Sequence, residues 1–298
     1  MRIPTLAAVC FGVLPLAGLS AESEYHQKRG RVVAAQVSGK VEAAEVGGGA
    51  PRMLKSRDVL GENNAVSVAV DSSATLVFSN GATINMGQDS KLVISEFLQN
   101  PFGTPFSMPI EEAESTVSTT KLNLQAGGVV AKVKKLNTKE GSSLTVTTPV
   151  GAAGIRGTTF AISYVPNSDG NGRGRYTLSV TEGAVSFTDV NGNVTLVTAG
   201  RELAITFTSR TDPLTGETSV IEILGSEIRD IAPDRLEAIN QAAENGEVIA
   251  DTIIFDPGMD PLLDTPQIVD GLQSKAVTVI NPPKPVTEVN PSSNIDAN

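Results

Sequence analysis

From about residue 30 to residue 225 the chain runs in short stretches in which apolar and polar residues alternate. A period of two sends successive side chains to opposite faces of a strand, so each stretch predicts a half-buried strand. Leu76 and Phe78, then Asn80-Gly81, then Ile84 and Met86 predict a hairpin. Asn-Gly there supplies the two positive-φ residues of a type I′ turn. Asn191-Gly192, between Val185/Phe187 and Val194/Leu196, predicts a second, and Glu182-Gly183 another tight bend. Further period-two runs are Leu144/Val146, Phe160/Ile162/Tyr164, Tyr176/Leu178/Val180, Leu203/Ile205/Phe207 and Val220/Glu222/Leu224. Gly47 to Pro51 reads as a loop. Many short strands without a long helical pattern among them define an all-β body. No repeat of fixed length is evident, although the rhythm fits irregular coils wound on one another.

Two segments depart from this rhythm. Gln99 to Glu114 carries Pro101, Pro105 and Pro109 with Phe102 and Phe106, and reads as an ordered excursion rather than a strand. Pro233 to Asn245 reads as a helix: Pro233 suits its first turn, Leu236, Ile239 and Ala243 share a face, and Gly246 suits its end. Beyond it prolines interrupt every run, and 281–298 is a polar, Pro-rich tail expected to be disordered. At the other terminus, Arg2, an apolar run to Leu19 and the small-residue site Leu19-Ser20-Ala21 have the three parts of a secretory signal, cleaved after Ala21. The run is too short and too broken for a membrane span, which needs about 20 apolar residues. The expected layout is a signal at 1–21, the all-β domain at 22–225, a helical and irregular extension at 226–280 and the tail. Export to the periplasm or the extracellular space follows, with no membrane span after cleavage.

Composition narrows the chemistry. The 298 residues hold 23 Lys+Arg against 33 Asp+Glu, a formal net charge of -10, so a general nucleic-acid binder is not expected. Cys10 is the one cysteine and would leave with the signal, which excludes a disulfide framework and a multi-cysteine zinc site. One histidine, His26, sits in the mature N-terminus where nothing positions it as a base. No motif sets Glu111, Glu112, Glu114, Asp251, Asp256 and Asp260 opposite one another, and charge on solvated loops explains them. The expectation is a non-catalytic protein without cofactor or metal.

The least ordinary stretch is Thr147-Thr148-Pro149-Val150-Gly151-Ala152-Ala153-Gly154-Ile155-Arg156-Gly157-Thr158-Thr159-Phe160. It reads as a strand, a glycine-rich corner and another strand. Pro149 ends ladder donation, and Gly151, Gly154 and Gly157 allow positive φ or a close backbone approach. Ser179-Val180-Thr181-Glu182-Gly183-Ala184-Val185-Ser186-Phe187 follows, then Thr198-Ala199-Gly200-Arg201. This ordered series resembles the FecR domain family, which shows a "TP…RGT-x-F" corner, a "V-x-EGxV" strand pair and a closing "aGq"-like turn. Ser79 to Ile84 sits where the family has its "dGs" hairpin, and Leu124 to Val129 matches its "l-x-x-G-x-v" element. The resemblance covers roughly 60–205 and implies a twisted β-solenoid or β-sandwich-like body. Regulators of this family hold the domain outside the inner membrane and relay outer-membrane receptor status to a sigma factor. They also carry a cytoplasmic segment and one membrane helix, where this chain has a signal-like start, so the domain type is what the resemblance implies here.

Three constellations carry alternatives. Asn167 to Gly172 mimics half of a calcium loop of the EF-hand type, but the twelfth position falls on Leu178, and a hairpin tip explains the same residues. Arg156 either binds an anion or a partner carboxylate, or spends its donors on carbonyls of the irregular corner. Lys132 and Lys134, on one side of a strand and near Lys135 and Lys139, form either a solvated strand face or a docking surface for an anionic envelope polymer. Pro149, Gly151, Gly154, Gly157, Thr158, Glu182 and Gly183 are expected to be structural. The function expected is an exported binding or scaffolding module with a protein or envelope-polymer partner. The alternative is a FecR-type receptor-status regulator in iron-uptake signalling, acting with a membrane partner.

Overall fold

The computed structural model describes residues 28–101, 106–107, 113–167, 172–212, 214 and 218–255. The signal-like segment, Cys10, His26, Glu111, Glu112, Asp256, Asp260, the middle of the Asn167–Gly172 loop and the 281–298 tail lie outside the described residues.

Strands occur in chain order as β1 (Lys28–Arg29), β2 (Val32–Ser38), β3 (Val41–Glu45), β4 (Arg52–Met53), β5 (Val59–Leu60), β6 (Asn64–Val68), β7 (Ser73–Phe78), β8 (Thr83–Met86), β9 (Lys91–Gln99) and β10 (Phe106–Ser107). After them come β11 (Ser118–Lys132), β12 (Ser143–Thr148), β13 (Gly151–Ile155), β14 (Thr159–Val165), β15 (Arg173–Glu182), β16 (Ala184–Asp189), β17 (Val194–Thr198), β18 (Arg201–Thr211) and β19 (Thr218–Asp230). The helix α1 (Pro233–Ala250) and β20 (Ile254–Phe255) close the series.

Two open sheets pack face to face. The first has the order β4-β3-β6-β9-β11-β12-β13-β16-β17, with β1 beside the end of β9. The second has the order β5-β2-β7-β8-β11-β14-β15-β18-β19. β11 serves both, pairing from Ser118 to Ala126 with β9 and from Gly127 to Lys132 with β8 and β14. Elsewhere the chain passes back and forth between the sheets, after every second strand from β12 onward. Thus β2–β3, β6–β7, β8–β9, β13–β14, β15–β16 and β17–β18 are bent layers stacked along the sandwich. This is the all-β, solenoid-wound sandwich that the alternating pattern and the family resemblance predict.

The inward rows of both sheets fill one core, from Val32 and Val41 to Leu203 and Phe207. Tyr164 stacks on Phe207 with ring centroids 5.6 Å apart, and Tyr176 on Phe187 at 4.9 Å. Alternation holds where one face is open, as in β12, whose Leu144 and Val146 are buried between more exposed neighbours. It fails in β7 and β8, which are buried along their whole length. The cause is α1, which lies across the outer face of the second sheet. Ile239, Ala242 and Ala243 pack there on Val130 and Ala161. Past the helix, Ile253 and Phe255 join Ala250 on Val33 and Val77.

Four local features differ from expectation. The helix runs through Gly246 to Ala250, because Gly246 faces the sheet, where a Cβ would come 2.7 Å from Asn85 Nδ2. Both Asn-Gly hairpins are three-residue loops: Phe78 N donates to Ala82 O and Gly81 N to Phe78 O, and Asp189 and Gly192 repeat the pattern. Only Gly81 and Gly192 take positive φ in them, so these are turns with a glycine bulge rather than type I′. Within the Pro-rich excursion, β10 pairs antiparallel with β20. Lastly, Glu114 is buried rather than on a solvated loop; it accepts from Ser118 Oγ at 2.7 Å and from Asn137 N at 2.6 Å.

Candidate interaction site

The motif segments meet at one long side of the sandwich. Arg156-Gly157-Thr158 turns β13 into β14, Gly183 turns β15 into β16, and Ala199-Gly200 turns β17 into β18. Gly157, Gly183 and Gly200 have φ of 96°, 79° and 80°, a region L side chains resist. A Cβ on Gly157 would sit 2.7 Å from Lys135 Cα, and one on Gly183 would sit 2.8 Å from Gly157 O. The corners are tied in sequence: Val133 N donates to Thr158 O at 3.0 Å, Ala199 N to Gly183 O at 3.0 Å and Gly200 N to Val180 O at 2.8 Å. Thr159 Oγ1 donates to Glu182 Oε2 at 3.1 Å and fastens the first corner to the second.

The other motif residues do different work. Pro149 lies in the β12–β13 turn, where Thr148 Oγ1 accepts from Val150 N at 3.3 Å and donates to Gly151 O at 3.2 Å. At Gly151 a Cβ would run into the Thr188 carbonyl, so glycine permits β16 to approach. Gly154 needs neither freedom, since its φ is ordinary and a Cβ would rest 3.7 Å from Ser186 O. Thr158 is buried, and its hydroxyl has no partner among the described residues.

Arg156 projects from this corner into solvent. The expectation that its donors hold corner carbonyls is not met: among the described residues it makes no hydrogen bond or ion pair. Lys135, whose backbone Gly157 touches, is also exposed. Lys132 and Lys134 instead turn to α1, where Glu247 receives Lys132 Nζ at 2.6 Å and Lys134 Nζ at 2.7 Å. Burial pushes the Glu247 carboxyl up, but hydrogen bonds and charge from both lysines outweigh it and hold the group below the usual carboxylate range.

A second polar cluster went unseen in the sequence. Glu202 is only 3% exposed. It accepts from Ser179 Oγ at 2.6 Å and pairs with Arg229 Nη2 and Arg235 Nε, each at 2.8 Å. Arg235 Nη2 also donates to Thr177 Oγ1 at 3.0 Å, which seats the first turn of α1 on β15. Burial raises the Glu202 carboxyl, yet Ser179 and the two arginines together hold it below the usual range. The one sequence signal was Arg235, four positions before Ile239 on the apolar side of the helix. Beside this cluster lies an open cleft of about 430 Å³, lined by Arg175, Thr206, Ser226, Glu227 and Arg229 among others. Among the described residues no group of three or more His, Cys, Asp or Glu converges as a metal site.

The family model described as FecR protein matches residues 64–186, somewhat less than half of the chain. The chain carries a FecR domain over those residues, which include the Gly157 and Gly183 corners and stop before Ala199-Gly200. Two crystal structures of a protein assigned as an anti-sigma factor, from Parabacteroides distasonis ATCC 8503, are similar at 12% identity, with TM-scores of 0.38 and 0.37. The similarity covers 59% of this chain and 64% of that one, so it spans somewhat less than two thirds of that protein. No curated protein matches the chain.

Proposed function

We propose that the chain is an exported, non-catalytic FecR-domain module that works by binding a protein, or an anionic envelope polymer, outside the inner membrane. Arg156 carries this reading. Gly157 and Gly183 are taken up by backbone packing, and Lys132 and Lys134 by Glu247. Arg156 stands exposed without a partner among the described residues, at the corner where Lys135 is exposed as well. A guanidinium in that setting suits bidentate capture of a carboxylate or phosphate. Its test is Arg156→Ala in the full chain, expected to keep the melting temperature and to lose cross-linking to the partner in intact cells. A lowered melting temperature, or unchanged cross-linking, overturns the role. Export is tested separately, by N-terminal sequencing of the fractionated protein, which should begin at Glu22; an intact Met1 refutes it.

The family match favours a second reading, a FecR-type regulator that receives receptor status in iron-uptake signalling and acts through a membrane-bound partner. Such a regulator belongs beside genes for a sigma factor and a TonB-dependent receptor. A neighbourhood without either leaves the binding module.

A further inference from the structure

The two Asn-Gly hairpins share one backbone and differ in what surrounds it. In Ser79-Asn80-Gly81 and Val190-Asn191-Gly192 the same pair of hydrogen bonds closes a three-residue loop, and the glycines have φ of 89° and 84°. Asn80 is 1% exposed. Its Nδ2 donates to Ser118 Oγ at 3.0 Å and to Thr120 Oγ1 at 3.4 Å, while its Oδ1 accepts from Ala82 N at 3.1 Å. Asn191 stands exposed, and its side-chain amide has no hydrogen bond among the described residues. The clamp of that loop is Asp189 Oδ1, which accepts from the backbone nitrogens of Asn191 at 2.8 Å and Asn193 at 2.9 Å and leaves the Asn191 side chain out. A Cβ on Gly192 would meet nothing within 4 Å, so the glycine side of the bond is open too. A third pair, Asn245-Gly246, lies inside α1, where the helical ladder holds Gly246 N.

We propose that Asn191 is a site of spontaneous deamidation, and that its conversion to isoaspartate loosens the β16–β17 hairpin. Gly192 N gives its proton to hydroxide and attacks Asn191 Cγ. The new N–Cγ bond closes a succinimide ring, and the side-chain nitrogen takes up a proton and leaves as ammonia. Water then adds to one of the two ring carbonyls. Opening of the Cγ–N bond gives aspartate, and opening of the bond to the main-chain carbonyl gives isoaspartate, whose backbone runs through Cβ and Cγ. Water is the only co-reactant. Ring closure requires the amide to swing onto the next nitrogen, and a glycine there presents no side chain against it. Three hydrogen bonds keep Asn80 from that swing, and nothing among the described residues restrains Asn191. Isoaspartate adds a carbon to a loop whose closing bonds join Asp189 to Asn193 and whose length sets the register of β16 and β17. Among the described residues β17 pairs only with β16, so a strained loop has no second strand to hold β17 in place.

Ageing the purified full chain in neutral and in mildly alkaline buffer tests both halves of the proposal. Peptide mass spectrometry, with fragmentation that separates isoaspartate from aspartate, should find both products at Asn191, forming faster at the higher pH. Asn80 and Asn245 should react at least about tenfold more slowly, because each must first leave its folded surroundings. Hydrogen exchange then compares fresh chain, the isoaspartyl fraction and Asn191→Asp, which carries the new charge without the added backbone carbon. Peptides covering β17 should exchange faster in the isoaspartyl fraction alone, while β7 and β8 stay protected in all three and show the fold intact. Asn191 reacting no faster than Asn80 overturns the proposal. So does an isoaspartyl fraction whose β17 is as protected as in the fresh chain, and equal loosening in Asn191→Asp overturns the role given to the backbone.

Discussion

Left-handed corners line both long sides of the sandwich, and the two columns are built differently. On one side stand Gly39, Asp71, Asp89 and Gly127, with φ between 55° and 77°. On the other stand Gly157, Gly183 and Gly200. In the first column side chains bridge successive layers: Ser72 Oγ accepts from Lys40 N at 2.8 Å, Gln88 Oε1 from Asp71 N at 3.3 Å and Ser90 Oγ from Gly128 N at 2.9 Å. Where a side chain spaces the layers, aspartate is tolerated in the left-handed region, as its short polar side chain allows. In the second column the backbones themselves touch, Gly183 on Gly157 and Gly157 on Lys135, as Gly127 does on Ser90 at the end of the first, and at these three positions only glycine fits. A positive φ is therefore one constraint and a close approach another, and they can be separated by substitution.

The largest effect should come where both act. Gly157→Val adds left-handed strain to a clash with the Lys135 backbone and should cost about 4 kcal/mol of unfolding free energy, read from denaturant midpoints. An unchanged midpoint would show a mobile corner and remove the distinction between the columns. Glu202→Gln comes next, two residues past Gly200, where Gly200 O accepts from Ile231 N and leads the second column toward α1. Leaving Arg235 and Arg229 without their carboxylate should cost about 3 kcal/mol. Because the folded protein holds the Glu202 carboxyl below its ordinary pKa, its contribution is complete above the usual carboxylate range and fades as pH falls through the depressed value. Melting temperatures of the native chain should drop toward low pH more steeply than those of the Gln variant. Parallel curves would mean that the pair adds nothing net.

Gly200→Ala isolates the first constraint. Gly200 shares the φ of its column, but its Cβ direction is open, so strain alone remains, at about 1 kcal/mol. A cost equal to that of Gly157→Ala would mean that packing at Gly157 contributes nothing. Smallest is Gly154→Ala in β13, which meets neither constraint and should stabilise by up to about 0.5 kcal/mol through loss of glycine's unfolded-state freedom. Destabilisation there would show that the sheet face around Ser186 is tighter than the 3.7 Å approach implies.

The second column was legible in the sequence because glycine fills all three of its corners, and Gly157, Gly183 and Gly200 stand in an ordered series with Thr158, Glu182 and Ala199. The first column was hidden, since Asp71 and Asp89 look like ordinary loop residues and their serine partners look like polar strand positions. Arg156 was placed at the right corner with its role left open, because sequence order gives a position but not what a guanidinium reaches. Lys132 and Lys134 read as a surface patch for the same reason: Glu247 is far away along the chain.

Local physics decided the all-β body, since period-two burial and glycine at forced turns act over a few residues and leave their mark in any short window. The helix at Pro233 was set locally as well, by proline in its first turn and by apolar spacing. Only the tertiary structure decided that this helix would lie on the second sheet, turning Thr75, Asn85, Ser179 and Glu202 from outward-facing positions into buried ones. A strand's alternation says which side faces the core. What later covers the other side depends on residues too distant along the chain for any local pattern to record.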